Sequence, residues 1–315
     1  VWHALSAIPW QVGSLWHKLK ARREHGLSTG ALQPVETVVE RIESGDVRFV
    51  VHVLASLARK EKALKAQKIT NANPFLPYDQ DLYVSDISKT HLCLLNKYNV
   101  VDHHFLIVTR QFEPQDNWLT LADFEALALA LAEVDGLAFY NGGTVAGSSQ
   151  LHKHLQVVPA SPGKMAASFP LVSVIATASQ ASVFGNCLKS AALPFQHAIV
   201  QLSEVQLSEV QSDHQPAVNS AGELAQQYLA SYHQLLSAVN IVSASQWQGL
   251  QTAPYNLLCT RQWMMVVPRR QEKYVNISVN SLGFAGSLLV RNAETLSELK
   301  SIDPMNLLKQ VSFAD

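Results

Sequence analysis

The sequence predicts an α+β fold built on antiparallel sheet, and three observations predict it. Short apolar, β-branched runs come in clusters bounded by turn residues. Helical stretches stand between those clusters. The regular strand–helix–strand alternation of a parallel sheet is missing. The chain of 315 residues is 48% hydrophobic, 16% charged and carries a formal net charge of −1. That composition supports a sizeable core and excludes a wholly disordered chain. It also excludes a general nucleic-acid binder, because no basic excess is there to neutralise phosphates along a duplex. The length fits one large unit or two tightly packed halves.

Taken in order, Leu15 to Arg23 reads as a basic amphipathic helix. Val35 to Glu43, preceded by Pro34 and stopped by Gly45-Asp46, reads as a second helix. Phe49 to Leu54 is a strand candidate. From Arg59 to Lys68 the chain carries five basic residues against Glu61, a local charge of +4. Asn73-Pro-Phe-Leu-Pro-Tyr-Asp79 is a rigid loop. His91 to Leu95 and Phe105 to Thr109 form a strand pair joined around Asn96–His104. Thr120, with Asp123 three residues on, caps an Ala/Leu-rich helix from Leu121 to about Val134. Leu137 to Tyr140 is a short strand, 141–149 a glycine-rich loop, and Leu151 to Val158 a strand ended by Pro159.

Residues 160–220 are less regular. The pentapeptide QLSEV occurs twice, at 201–205 and 206–210, and reads as a surface duplication on or beside a loop. Ser220 caps a long amphipathic helix, Leu224 to Val239. Tyr255–Cys259, Trp263–Val267, Tyr274–Val279 and Leu288–Val290 are strands, and two short helices close the chain near Glu294–Lys300 and Pro304–Val311.

Cys93, Cys187 and Cys259 are odd in number and far apart, so neither a disulfide framework nor a thiolate zinc site is expected. No apolar run approaches the roughly 20 residues of a membrane span. No basic start precedes an apolar core at the N-terminus, and the chain begins at Val1, so the expectation is no secretory signal, a few missing residues, no membrane partner and a reducing, cytoplasmic setting.

The stretch that carries chemistry is Asn141 to Pro159. If His152-Lys-His154-Leu-Gln156 is a strand, period two puts His152, His154 and Gln156 on one face. Leu151, Leu155 and Val157 then face a core, with Lys153 pointing away from the histidines. The glycine-rich loop upstream can turn backbone N–H groups toward a phosphate, and Ser148 and Ser149 add hydroxyls. An unprotonated imidazole oriented through its other nitrogen can attack phosphorus and hold it covalently. Two other readings stay open on the residues alone. The pair could be half of a metal site completed by His91, His103 or His104, or two strand histidines with satisfied hydrogen bonds.

Asn141-Gly-Gly-(x)3-Gly147-Ser148-Ser149-(x)2-His152-x-His154-x-Gln156 resembles the active-site signature of the histidine triad superfamily in its transferase branch. That branch includes the hexose-phosphate uridylyltransferases and the diadenosine tetraphosphate phosphorylases, also called ATP adenylyltransferases. The uridylyltransferases typically have Pro between the histidines; Lys153 is similar to the phosphorylases. The likeness extends to Asn73-Pro-Phe-Leu-Pro-Tyr, His91-x-x-Leu-Leu-Asn96-Lys97-Tyr, His104-Phe-Leu-Ile-Val-Thr109, Tyr255-Asn-Leu-Leu, Trp263-Met-Met-Val-Val-Pro-Arg and Asn280-Ser-Leu-Gly-Phe-Ala-Gly.

The resemblance implies a histidine-triad-like antiparallel sheet with packed helices and two related halves, a catalytic one over 1–215 and a second over 216–315 that lacks the H-x-H. It implies His154 as nucleophile, supported by His152. Gln156 would hydrogen-bond a phosphate oxygen, where simpler relatives carry a third His. Asn141, Gly147, Ser148, Ser149 and Lys60 would bind phosphates, and Phe75, Leu76, Leu94, Asn96 and Lys97 the nucleotide. Arg269-Arg270 offers a second basic source, and Asp79, Asp81 or Asp86 a ribose contact. The activity implied is phosphorolysis of diadenosine tetraphosphate to ADP and ATP, reversibly, through an adenylyl-histidine. The rivals are another nucleotidyltransferase of the superfamily, acting on a sugar phosphate or adenylyl sulfate, and a dinucleotide sensor. No covalently held cofactor and no protein metal site is expected; Mg²⁺ or another divalent cation would accompany the polyphosphate.

Overall fold

The computed structural model describes residues 11–55, 73–160, 164–181, 185–202, 216–242 and 247–314. Its centre is one ten-stranded sheet. The strands are β3 (Tyr83–Asp86), β4 (His91–Leu95), β5 (Phe105–Thr109), β6 (Gly136–Gly142), β7 (His154–Pro159), β8 (Gln180–Ala181), β9 (Leu188–Lys189), β10 (Ala198–Gln201), β11 (Tyr255–Cys259) and β12 (Trp263–Pro268). Their order is β3-β4-β5-β7-β6-β11-β12-β10-β9-β8, antiparallel throughout. Read inward from each edge, the two halves have one pattern: first, second, third, fifth, fourth strand. They meet where β6 pairs with β11, Tyr255 opposite Gly142 and Cys259 opposite Ala138.

Each half also inserts a long helix between its third and fourth strands: α2 (Leu121–Glu133) after β5, and α5 (Pro216–Ala238) after β10. Both lie on the same face of the sheet with α1 (Leu15–Thr29), and the core between them holds Leu15, Leu19, Phe124, Leu127, Leu131, Tyr228, Tyr232 and Leu235. The strands alternate accordingly. Cys93, Ile107, Leu155, Leu257 and Met264 face these helices.

The opposite face carries a second core and a smaller sheet. β1 (Thr37–Ser44) and β2 (Val47–Leu54) form a hairpin, and β15 (Ser287–Val290) adds to β2 in parallel. Phe49 and Val51 of this sheet pack with Leu137, Phe139, Val158, Leu258 and Met265 of the large one. Two short helices, α3 (Met165–Ser168) and α4 (Leu171–Ala176), and two C-terminal ones, α6 (Ala293–Ile302) and α7 (Pro304–Val311), cover the rest; Leu171, Ile175, Leu299, Leu307 and Leu308 enter that core.

Several elements differ from the sequence expectation. Residues 35–43 are not a helix: 37–44 is a strand. Thr37, Val38, Val39 and Ile42 are β-branched, and the Gly45-Asp46 signal that was expected to stop a helix instead turns a hairpin, with Ser44 opposite Val47 and Gly45 at φ 56°. The strand expected over 274–279 is a miniature hairpin, β13 (Lys273–Tyr274) with β14 (Ile277–Ser278). The helix begun at Leu15 runs on to Thr29, where left-handed Gly30 ends it. The helix expected from Ser220 begins at Pro216. The strand expected from Leu151 begins at His154, and Leu151 is exposed rather than in the core. Gln201 and Leu202 are the only residues of the QLSEV repeat that are described.

The helix face of the sheet buries a charge cluster. Lys153 lies on the helix side, away from His154, as expected; its Nζ is 2.7 Å from Asp123 Oδ2 and 3.1 Å from Glu113 Oε2. His91 Nε2 lies 3.0 Å from Asp123 Oδ1, and Thr120 N donates to Oδ2 at 2.6 Å as the cap of α2. Burial alone would raise the Asp123 carboxyl, but the His91 hydrogen bond and the Lys153 charge outweigh it and hold the group well below the usual carboxylate range. Removing one member of such a buried set leaves a charge uncompensated. Asp123→Ala is expected to cost about 3–5 kcal/mol of unfolding free energy in urea titration; a loss below about 1 kcal/mol would mean that Lys153 finds solvent when its partner is gone.

Candidate active site

Period two along the strands builds the site. The residues alternating with the helix-side core point to the other face: Leu94 on β4, Leu106 on β5, His154 and Gln156 on β7. They floor a cavity of about 650 Å³. The small sheet roofs it with His52, Ser287, Leu288 and Leu289, and the 73–79 loop closes one wall with Phe75 and Tyr78. Phe75, Leu92, Leu94, Leu106 and Val108 form an apolar cluster there. An apolar slot with a few polar groups is the usual shape of a site for a small ligand.

His154 is almost fully buried, and its Nδ1 lies 2.8 Å from the carbonyl oxygen of His152. A carbonyl can only accept, so Nδ1 carries the proton and Nε2 keeps its lone pair. Burial pulls the imidazole down to about 4, so it is neutral at ordinary pH. Phe75 packs against the ring, centroids 5.3 Å apart. His152 is fixed by different means. Its Nε2 donates to the carbonyls of Thr109 (2.9 Å) and Gln111 (3.1 Å), and its Nδ1 accepts from Asn73 Nδ2 at 3.0 Å. Its ring is thus fully engaged, and what it offers His154 is a main-chain carbonyl. Thr109 Oγ1 also lies 2.9 Å from His152 Nε2.

Beside His154 the sheet opens. β6 and β7 pair from Gly136↔Pro159 to Phe139↔Gln156 and then part; β6 continues with β11 alone. The Gln115 side chain occupies the gap. Its Nε2 donates to the carbonyls of Asn141 (2.9 Å) and His154 (3.2 Å), and its Oε1 accepts from His154 N at 2.9 Å.

The loop between β6 and β7 is held from the second half. Asn141 Oδ1 accepts from Asn256 Nδ2 (2.9 Å), Ser281 N (2.9 Å) and Ser281 Oγ (2.7 Å). Gly147 sits at φ 88°, and a Cβ there would meet the Val279 carbonyl at 2.7 Å, so this contact needs glycine. Arg269 does not serve as a surface phosphate contact: it is buried. Its guanidinium donates to Ala146 O (3.2 Å), Asn256 Oδ1 (2.6 Å), Val279 O (2.8 Å), Val311 O (3.1 Å), Gln271 O (2.8 Å) and Glu272 O (3.2 Å), over the Phe284 ring. Pro-Arg-Arg after an apolar strand looks like an exposed turn; nothing local reveals that six acceptors converge on it.

Of the expected site residues, Asn141, Gly147, Ser149, His154, Gln156, Phe75, Leu94, Asn96 and Lys97 line the cavity. Ser148 turns aside, its Oγ donating to Gln150 O at 2.9 Å, and Leu76 is outside the lining and 39% exposed. Lys60 and the rest of the basic stretch lie outside the described residues. Of the three acids considered for a ribose, Asp79 lines the cavity. Asp81 instead pairs with His25, and Asp86 with Arg110. The sequence reading missed Gln115, Asn256, Ser281, Tyr78 and His52, and considered His104, which lines the cavity, only as a metal ligand. Asn256, a lone amide in an otherwise apolar strand, carried a usable signal; Gln115, in a polar loop, carried none. His103 and His104 do not complete a metal site with the H-x-H, and among the described residues no group of three His, Cys, Asp or Glu side chains could hold a metal ion. Nor is any described helix long and apolar enough to cross a membrane.

Residues 6–177 match the family of the Ap4A phosphorylase N-terminal domain, and residues 191–314 that of the ATP adenylyltransferase C-terminal domain. The diadenosine 5',5'''-P1,P4-tetraphosphate phosphorylase 2 of Saccharomyces cerevisiae is 28% identical over 275 residues, covering 80% of this chain and 79% of that protein. Protein APA1 of the same yeast is 27% identical over 309 residues, 93% of this chain and 91% of its own length. Among solved structures, yeast Ap4A phosphorylase Apa2 in complex with AMP matches with a TM-score of 0.72 and 25% identity over 96% of this chain and 98% of that one.

Burial also lowers His104 to about 4, with neighbouring His154 acting in the same direction. Both histidines are therefore neutral in the folded chain down to about pH 4, whereas an unfolded chain takes up protons near 6.5. Stability present above pH 6.5 should be lost as pH falls toward 4, since the unfolded state binds more protons in that window. Urea midpoints are expected to drop between pH 7 and 5, and His104→Asn to flatten the drop. A midpoint constant over that range would contradict neutral burial.

Proposed function

The chain belongs to the Ap4A phosphorylase family, and from that premise we propose how its residues cleave diadenosine tetraphosphate. The observation that carries the reading is the His154 imidazole, buried at a cavity wall with its proton on Nδ1 and its lone pair on Nε2. Nε2 attacks the α-phosphorus of the bound dinucleotide. A nitrogen–phosphorus bond forms, the bond to the bridging oxygen breaks, and that oxygen leaves with ATP. The imidazole becomes cationic, and the His152 carbonyl on Nδ1–H stabilises that charge where it develops. An oxygen of inorganic phosphate then attacks the adenylyl group, ADP departs, and the neutral imidazole is restored.

The flanking groups divide the rest. Gln156 lies along the same strand face and donates to a phosphoryl oxygen. With Asn141 Oδ1 committed to its three donors, Nδ2 is the atom this amide offers to a ligand. Gly147 and Ser149 add main-chain and hydroxyl groups beside it. The adenine occupies the apolar end near Phe75, Leu94 and Leu106, with Asn96 and Lys97 at its edge. A divalent cation arrives on the polyphosphate rather than in a protein cage. Asp79 is the carboxylate that lines the cavity among the described residues, too few acids to hold such an ion alone.

Mass spectrometry of enzyme rapidly quenched and handled at alkaline pH, where a phosphoramidate survives, is expected to find one adenylyl group on His154. His154→Asn should reduce phosphorolysis by several orders of magnitude while circular dichroism stays native. Turnover near wild type in that variant refutes the nucleophile. Products are expected to be ADP and ATP only when phosphate is supplied; AMP and ATP without phosphate would make water the acceptor.

A further inference from the structure

We propose that Gln115 is the positioning residue for the nucleophile, replacing with one side chain the strand ladder that His154 lacks; this rests on the reading of His154 as nucleophile. Nearly every buried N–H and C=O is paired. Lys153 turns its carbonyl to the β5 side, where Thr109 N donates to it at 3.3 Å. The next residue, His154, therefore turns N–H and C=O to the other side, toward β6. Continuing the β6–β7 register would set Asn141 opposite His154, yet pairing stops at Phe139↔Gln156. Asn141 has gone with the second half, where it pairs with Asn256.

The gap is faced by main-chain groups that the two parted strands no longer pair, among them His154 N, His154 O and Asn141 O. The Gln115 amide meets all three, accepting the first and donating to the other two. An amide has one acceptor and two donor hydrogens, which is the complement these groups require. Glu offers no donor when ionised, and Asn is a methylene too short to reach. Gln115 is itself held: its N donates to Leu151 O at 2.8 Å, its carbonyl accepts from the Tyr140 hydroxyl, and it is 3% exposed.

Two functional parts hang on this side chain. One is the peptide that carries the nucleophile. The other is Asn141, at the end of β6 just before the phosphate loop. Gln115 sets their separation, and so sets where the α-phosphorus lies relative to Nε2. It is not among the residues that line the cavity. Its loss should therefore act on the rate of attack more than on binding.

The test uses the full-length chain with Gln115→Met, similar in length and unable to make these bonds, and Gln115→Glu, which keeps the acceptor for His154 N alone. The readouts are kcat, KM for diadenosine tetraphosphate, the dissociation constant for AMP, the rate of adenylyl-enzyme formation, and the thermal midpoint. Gln115→Met is expected to lower kcat and adenylyl formation roughly 100-fold, the scale of a misplacement near 1 Å. KM and AMP binding should stay near wild type, with Gln115→Glu intermediate. A folded Gln115→Met with wild-type kcat overturns the proposal. So does a loss carried equally by AMP affinity, since that would mean a collapsed pocket rather than a misplaced nucleophile. Adenylyl-His154 in the wild-type chain separates the two readings: its absence overturns the nucleophile, while its presence beside an unimpaired Gln115→Met overturns only the positioning role.

Discussion

One strand serves two halves, and the rest of the site follows from that constraint. β6 must pair with β7 on one side and β11 on the other. It satisfies both only as far as Phe139. Beyond that point it turns with the second half, and the Gln115 side chain fills the space it leaves beside β7. The parting exposes polar backbone, and the chain answers with buried amide side chains: Gln115 on the β7 side, Asn256 on the β11 side.

The sheet's two faces solve the burial of charge differently. On the helix face Lys153 is met by carboxylates, and the ion pairs also cap α2. On the cavity face the Arg269 guanidinium is hydrogen-bonded to no carboxylate among the described residues; carbonyl dipoles, one amide oxygen and the Phe284 ring surround it, and the charge of Glu272 acts on it from nearby. Carboxylates there would have added negative charge under the loop to which the proposed reaction assigns the phosphates. Carbonyls satisfy the donors without doing so. Burial lowers the Arg269 guanidinium to about 9, still charged at neutral pH.

The sequence made legible what depends on local pattern. The alternation around His154 located a strand face, and Lys153 was read on the opposite side, because period two is a property of any strand. Thr120 and Asp123 marked the cap of α2 for the same local reason. The Val35–Glu43 segment failed because its turn signal fits a helix stop and a hairpin equally well; only pairing with Val47–Leu54 decides. Arg269 failed in the other direction, since its partners come from positions as far apart as Ala146 and Val311. The parting of β6 from β7 left no trace in either strand, because it is a relation between three strands and not a property of one. Gln115 was invisible for that reason.

The two halves share a strand order, yet their equivalent connections differ in length. Between β6 and β7 the chain spends residues 143–153 on a loop that reaches the cavity. Between β11 and β12 it spends 260–262 on a tight turn, from which Arg261 donates to the carbonyls of Leu131 (2.5 Å) and Ala132 (3.1 Å) at the end of α2. The pseudo-symmetry is thus broken by loop length rather than by the sheet. One copy of the connection borders the cavity, and the other fastens the second half to the end of α2. The strands after the two connections differ as well: β7 opens with His154 where its counterpart β12 opens with Trp263, so of these two strands only β7 offers an imidazole.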